Sequence, residues 1–165
     1  MKRVFYFLNI FFIFSIIGFI LETIFIKDYQ SGILYLPWTP IYGIAVLIAL
    51  PIKNKLGNMY KKPMEIFLFL LLTMIILSGL EFIAGYSIEY IFNEIYWNYD
   101  YLKFNIGRYI ALEMALIWGI GSAISVYLLL PLFKKAEKYI PWWLTIILTG
   151  LFLIDITVTF VVQMS

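Results

Sequence analysis

Long apolar runs, broken by short polar segments, dominate the chain. Within each run apolar residues occupy every side of a helix rather than one stripe, a pattern typical of helices that face lipid and other helices. Because backbone groups in lipid must be hydrogen-bonded within the protein, we expect an all-α integral membrane helical bundle that forms one membrane domain over 1–165. The runs predict five membrane-spanning helices, over residues 4–26, 35–52, 64–94, 107–133 and 141–163.

The polar segments between the runs carry signals for helix ends. KNKLGNMYKKP, residues 53–63, and KKAEKYIP, residues 134–141, each end in a proline, which suits the start of a helix. The second run differs because Pro37 and Pro40 lie at its own start. Each lacks an N–H donor and disfavours helix in the residue before it, so the second helix is predicted to be irregular at this Pro-rich end.

The N-terminal segment, MKRVFYFLNIFFIFSIIGFILE, combines a basic start with an apolar run, as a signal peptide does. The run is about 20 residues long, enough to cross a bilayer. No A-x-A-like cleavage site follows it, so we interpret it as a retained first helix.

The basic residues predict the orientation of the helices, because cytoplasmic loops of membrane proteins are enriched in Lys and Arg. Lys27, Lys103 and Arg108 fall on or near the outside when the N-terminus is placed in the cytoplasm. The C-terminus and the Pro-rich end of the second helix are then outside. The other nine basic residues fall on the cytoplasmic side: Lys2, Arg3, Lys53, Lys55, Lys61, Lys62, Lys134, Lys135 and Lys138.

The composition agrees with a membrane protein and excludes several classes of site. The chain is 64% hydrophobic and 13% charged, whereas a soluble domain is about half apolar and a quarter charged. A net charge of +2 without a basic, aromatic-rich stripe argues against nucleic acid as a partner. Cysteine and histidine are absent, so we assign no cofactor, metal or catalytic residue, although carboxylates and carbonyls could hold a hard cation.

Ionisable residues inside the predicted spans are costly in lipid, yet most of them fall in the outer half of the membrane. At about 1.5 Å per residue, Glu81 lies about 25 Å and Asp155 about 21 Å from the cytoplasmic start of its span. If these side chains faced one another around water, the free-energy cost of placing them in the membrane would be smaller. We therefore predict an outward-opening acidic cavity lined by Glu22, Glu81, Arg108, Glu113 and Asp155, with Trp38, Thr39, Tyr42 and the interfacial Glu89 as further candidates.

Structural roles compete with this interpretation. Glu22 could extend to the outer headgroups, and Arg108 is expected to form a pair with Glu81 or Asp155 that only fixes the helix packing. Glu81 and Glu89 share a helix face with Gly85, which would admit a neighbouring helix. The outer loop over 93–107, rich in Tyr and Trp, is expected to lie along the interface or to cover the cavity as a lid.

Three motifs carry a resemblance to a known family. They are PWTPIYG (37–43), EFIAGYSIE (81–89) and WNY (97–99) followed by Asn105. Over roughly residues 10–160 the chain resembles the small bacterial membrane proteins of the ABC-transporter type IV family, the CmpB-like permeases. The chain departs from the pattern of that family around Glu113. The matching positions are Glu22, Pro37, Pro40, Tyr42, Gly43, Glu81, Gly85, Glu89, Trp97, Tyr99, Asn105, Gly107, Trp118 and Gly119, with Asp155 at a late acidic position.

The resemblance implies a multi-pass protein of the bacterial cytoplasmic membrane with a transport function. We expect a permease component whose cavity binds a cation or small solute. Because the chain is small for a self-sufficient transporter, we expect a homodimer or partner subunits. It lacks G-x-x-x-x-G-K-[ST], so any ATPase must be a separate subunit. One alternative is an outer-leaflet enzyme or a factor that binds lipids or cell-wall intermediates, with paired carboxylates as acid and base. Another is a structural or assembly protein of the membrane.

Overall fold

A computed structural model describes residues 2–26 and 33–164, the side chains of 25 and 26 excepted. The described residues are helical apart from connecting segments, and they contain no strand, which confirms the all-α class. Lys27, which the predicted orientation places outside, is not among the described residues. The helices are α1 Lys2–Ile26, α2 Pro40–Met59, α3 Lys62–Phe92, α4 Leu112–Ala123, α5 Leu130–Ala136 and α6 Trp142–Gln163, with a π-helical segment at Ile124–Leu129 and a 3₁₀ turn at Glu137–Tyr139.

Among the described residues, four helical runs are long and apolar enough to cross a membrane: Lys2–Ile24, Lys62–Phe92, Leu112–Tyr139 and Trp142–Gln163. They match four of the predicted spans within a few residues, except that the run predicted from 107 begins at Leu112. Residues before Leu112 form a folded loop instead. The orientation of these helices across the membrane stays a prediction.

The second predicted span has different bounds in the structure. Residues 33–39 are not helical, and α2 begins at Pro40 rather than at 35. The helix then continues to Met59, through most of the segment predicted as a loop over 53–63. Lys and Leu are good helix formers, so the polarity of this segment does not by itself indicate a loop. Its more polar second half also separates α2 from the four apolar runs.

The chain divides into two compact units. The first contains Met1–Leu47 and Leu132–Ser165, and the second contains Ile48–Pro131. This division concerns packing within the chain, and it leaves the single membrane domain over 1–165 as a prediction.

In the first unit, α1 packs closely against the start of α2 at a glycine. A Cβ atom on Gly43 would lie 2.5 Å from the backbone oxygen of Phe11 and 2.5 Å from Ser15 Oγ. Aromatic rings fill the space beside this contact, where Trp38 lies edge-on to Phe152 with ring centroids 5.6 Å apart. The second helix therefore starts where the absence of a side chain allows two backbones to approach.

In the second unit, glycines again mark the closest contacts. A Cβ atom on Gly119 would lie 2.7 Å from Met74 Cγ, which brings α4 close to α3. At Gly85 the neighbouring group is the ring of Tyr109, 2.6 Å from such an atom, so a loop residue occupies the place where a helix was expected. Large side chains on the other faces of α3, including Ile83 and Tyr86, are exposed.

Gly43→Ala tests the close approach of α1 and α2. The added methyl group would meet backbone as well as side-chain atoms, and overpacking of this kind costs about 1–3 kcal/mol. We expect a lower midpoint of thermal unfolding for the purified protein in detergent. Gly79→Ala is the matched control, because its added carbon meets no neighbouring group of the described residues within 4 Å, its own helix backbone apart. Equal midpoints for the two variants would contradict the packing described.

Candidate functional site

Four of the five carboxylates predicted as cavity residues lie in two clusters, one in each unit. The Asp155 cluster consists of Asp155 with Glu22, Tyr35, Leu36, Trp38 and Thr39. The Glu81 cluster consists of Glu81 with Glu89, Tyr99, Arg108, Tyr109 and Trp118.

Asp155 is buried in α6, with 4% of its surface exposed. Its Oδ1 accepts a hydrogen bond from the backbone N–H of Tyr35 at 3.0 Å. Its Oδ2 accepts from the backbone N–H of Leu36 at 3.0 Å and from the indole Nε1 of Trp38 at 2.8 Å. Three donors from the Pro-rich segment therefore converge on one carboxylate. This arrangement compensates the loss of water around Asp155 and holds a non-helical segment in place.

The remaining residues of the Asp155 cluster attach the same segment to α1. The backbone N–H of Thr39 donates to the carbonyl oxygen of Ser15 at 3.0 Å. The hydroxyl of Thr39 donates to Glu22 Oε2 at 3.3 Å, and Glu22 is half-buried. Tyr42 lies against Gly18, where an added Cβ would overlap the tyrosine ring. The segment before α2 is thus fixed by polar contacts at both ends, and the predicted lining residues of this region contribute to those contacts.

Glu81 is buried in α3, with 5% of its surface exposed. Its Oε1 accepts a hydrogen bond from the hydroxyl of Tyr99 at 2.5 Å. Its Oε2 accepts from the indole Nε1 of Trp118 at 2.9 Å. One donor comes from the loop between α3 and α4, and the other comes from α4 itself. Both oxygens of the carboxylate are therefore oriented by aromatic side chains that carry no formal charge.

Glu89, two turns further along α3, forms an ion pair. Its Oε1 lies 2.5 Å from Arg108 Nη1, and its Oε2 accepts from the hydroxyl of Tyr109 at 2.7 Å. This corrects the expectation that Arg108 pairs with Glu81 or Asp155. The loop brings Arg108 back beside α3, a folding of the chain that spacing along the helices does not reveal.

The surroundings of this pair affect the ionisation of two loop residues. Hydrogen bonding with Tyr109 and the charge of Glu89 raise the pKa of Arg108 further above its usual range. Burial and the hydrogen bond to Glu89 raise the pKa of Tyr109. Both residues therefore keep their protons at neutral pH, Arg108 as a cation and Tyr109 as a neutral phenol.

Glu113 stands apart from both clusters. It is half-buried in the first turn of α4, and its Oε1 accepts from the backbone N–H of Phe104 at 3.3 Å. Its Oε2 is buried and has no hydrogen-bond partner among the residues that the structure describes. Glu113 thus holds the loop to α4, and nothing places its carboxylate in either cluster.

The loop between α3 and α4 is folded rather than extended. The backbone N–H of Tyr99 donates to the carbonyl of Arg108 at 2.8 Å, and that of Ile106 donates to Ile110 at 2.8 Å. Gly107 supplies the left-handed conformation at the turn, with φ of 66°. Tyr99 and Tyr109 point inward and are buried, whereas Tyr101 is 79% exposed. The loop therefore provides aromatic residues both for the interface and for the carboxylates of α3.

The structure assigns roles to residues that spacing alone did not select. Tyr109 and the backbone N–H groups of Tyr35 and Leu36 are hydrogen-bond donors to carboxylates, but no signal along the chain marks them. Tyr99 and Trp118 are among the positions at which the chain matches the family pattern. Within the described parts of the chain no three carboxylates approach closely enough to form a metal site. A common cavity lined by residues of both clusters stays a prediction.

The chain belongs to the family described as "Putative ABC-transporter type IV", whose model matches residues 9–161. No curated protein and no solved structure matches the chain. Family membership and the four apolar helices fit a component of a membrane transporter, and the family suggests an ATPase as a possible partner.

Asp155→Asn tests the role of the Asp155 cluster. The amide keeps the shape of the side chain but replaces one acceptor oxygen with a donor group, so at least one of the three N–H donors loses its acceptor. We expect a loss of about 1–3 kcal/mol in the free energy of unfolding. Thermal unfolding in detergent measures this loss, and limited proteolysis should cut more readily within 33–39.

Asp100→Asn is the matched control, because Asp100 is exposed in the loop before α4. If Asp155→Asn and Asp100→Asn have the same stability and the same proteolytic pattern, the three hydrogen bonds do not hold the segment.

Proposed function

We propose that the protein is the membrane component of a transporter and that Glu81 binds a cation or a small positively charged solute on its way across the membrane. The proposal rests on family membership for transport and on one observation for the site. That observation is a buried carboxylate, inside an apolar helix, whose two oxygens are oriented by Tyr99 and Trp118.

The electrostatics of Glu81 support this role. A charged residue at the centre of a membrane helix costs roughly 2.5–3.5 kcal/mol, and such residues are rare unless they serve a pathway or a pair. The phenol and the indole orient the carboxylate and reduce the cost of burial, but neither brings a positive charge. A cation that reaches the carboxylate would gain a strong interaction because the surrounding medium screens it weakly.

Glu89 is less suited to the same role. Arg108 already lies 2.5 Å from it, and the side chains of both residues are about one third exposed. This ion pair attaches the loop to α3. We therefore assign binding to Glu81 and loop attachment to Glu89, although both acids occupy one face of the same helix.

The hydrogen bond from Tyr99 gives the loop a part in binding. Tyr99 belongs to the loop between α3 and α4, and a solute that contacts Oε1 of Glu81 competes with its hydroxyl group. Binding would therefore weaken one of the contacts that hold the loop. The loop acts as an outer cover of the site when the N-terminus is cytoplasmic, and a homodimer or a separate ATPase chain supplies the rest of the transporter.

A structural role is the second candidate, and the Asp155 cluster favours it. All three donors to Asp155 come from the segment that precedes α2, so the carboxylate is already surrounded by groups that the fold needs to hold. Under this alternative Glu81 would hold the loop before α4 in place by hydrogen bonds, as Asp155 holds the segment before α2.

Binding measurements separate the two functions. Purified protein in lipid nanodiscs is titrated calorimetrically with sodium, tetramethylammonium and guanidinium ions as probes. We expect binding of at least one probe, and Glu81→Gln should weaken that binding by tenfold or more, equivalent to about 1.4 kcal/mol. The matched control is Glu94→Gln, which changes an exposed acid in the loop.

Thermal unfolding in the same nanodiscs checks that each variant is folded. A folded Glu81→Gln protein that binds the probes as well as the wild type would refute the site. Loss of stability in Glu81→Gln, together with no binding by the wild type, would favour the structural role.

A further inference from the structure

A second polar feature lies at the other end of α3, far along the helix from Glu81. A cavity of about 400 Å³ is lined by the end of α2 and the start of α3. All of its lining residues belong to the second unit: Lys53, Asn54, Gly57, Asn58, Lys62 and Glu65.

The ring of Tyr127 organises the charged residues of this cavity. Its hydroxyl donates to Glu65 Oε1 at 2.8 Å. The ammonium group of Lys62 lies 4.3 Å from the centre of the ring, and that of Lys53 lies 5.9 Å from it. Both lysines are thus within the range of a cation–π interaction with one aromatic side chain.

Tyr127 lies in the π-helical segment Ile124–Leu129. A π-helical turn inserts an extra residue into a helix, which changes the direction of the side chains, and such turns are frequent at functional sites. Here the turn carries Tyr127, whose hydrogen bond to Glu65 joins this helical run to the acid of the cavity.

The lining of the cavity carries one more positive charge than negative charge. Lys62 Nζ lies 3.1 and 3.2 Å from the two oxygens of Glu65, so these two residues neutralise each other. Lys53 adds a positive charge that the pair does not balance. Asn54 and Asn58 line the cavity with amide groups, which can donate hydrogen bonds to an anion.

The cavity also lies where a membrane-spanning helix begins. The candidate span starts at Lys62, and Met64 and Phe67, which follow on α3, are exposed apolar side chains. A ligand with an anionic headgroup and an acyl chain could place its headgroup in the cavity and its acyl chain along α3. Basic pockets at the membrane surface bind anionic lipid headgroups in this way.

We infer that this cavity binds the phosphodiester group of an anionic phospholipid, with Lys53 as the principal charge and the asparagines as hydrogen-bond donors. The site is separate from Glu81 and does not depend on transport. Inorganic phosphate shares the same chemistry, so the test includes it as a competing ligand.

Native mass spectrometry of the full-length purified protein measures retention of phosphatidylglycerol, with phosphatidylcholine as the neutral-lipid comparison. We expect preferential retention of phosphatidylglycerol. Lys53→Gln should weaken it about fivefold, the factor that corresponds to about 1 kcal/mol for one basic residue at a membrane surface. Lys55→Gln is the matched control, since Lys55 is exposed on the same helix and does not line the cavity.

Gly57→Leu tests the cavity without changing its charge. A Cβ atom at Gly57 would lie 3.5 Å from Glu65, an ordinary contact, so the helix should accept a side chain that then fills the cavity. We expect a loss of retention at least as large as for Lys53→Gln, with an unchanged midpoint of thermal unfolding.

Three results would overturn the inference. Full retention by Gly57→Leu would show that lipid does not enter the cavity. Equal losses for Lys53→Gln and Lys55→Gln, or equal retention of the two lipids, would indicate general surface attraction. Displacement of phosphatidylglycerol by inorganic phosphate at equal concentration would assign the cavity to free phosphate instead.

Discussion

A carboxylate inside an apolar helix must find hydrogen-bond donors within the protein, and this constraint shapes both units of the structure. The donors for Asp155 come from a non-helical segment, and those for Glu81 come from a loop and from a neighbouring helix. In each unit the acid therefore determines where a connecting segment lies. The segment before α2 and the loop before α4 therefore pack as part of the helical structure and do more than link one helix to the next.

This constraint also relates structure to function. Asp155, whose donors Tyr35, Leu36 and Trp38 all belong to one non-helical segment, is suited to holding that segment in place. An acid such as Glu81, oriented by neutral side chains of which one belongs to a loop, is suited to exchanging a donor for a ligand. The ion pair of Glu89 and Arg108 attaches another part of that loop to α3.

Much of the architecture follows from the sequence because the apolar runs are long. Four spans, the buried face with Glu81 and Gly85, and the irregular start of α2 could all be predicted from residue type and periodicity. The extension of α2 to Met59 was missed, because polarity suggested a loop where Lys and Leu sustain a helix. Exposure to lipid explains the long apolar runs. The end of a more polar helix, such as α2, depends instead on the helix propensity of the local residues.

The partners of the acids were harder to predict, because they depend on how the chain folds back on itself. Arg108 pairs with Glu89 only because the loop after α3 reverses and returns to the same helix. The π-helical turn that carries Tyr127 leaves no periodic signature, since it alters the helix by a single residue. Such contacts join residues that are close in space through conformations that simple hydrophobic patterns do not encode.

The most direct test of the central claim is a double-mutant cycle between Glu81 and Tyr99. The free energies of unfolding are compared for the wild type, Glu81→Gln, Tyr99→Phe and the double variant in the same detergent. A hydrogen bond between a buried carboxylate and a loop tyrosine predicts a coupling energy of about 1.5–3 kcal/mol. Single effects that add to within about 0.5 kcal/mol would show that the loop and α3 are not joined through this carboxylate, and would contradict the account.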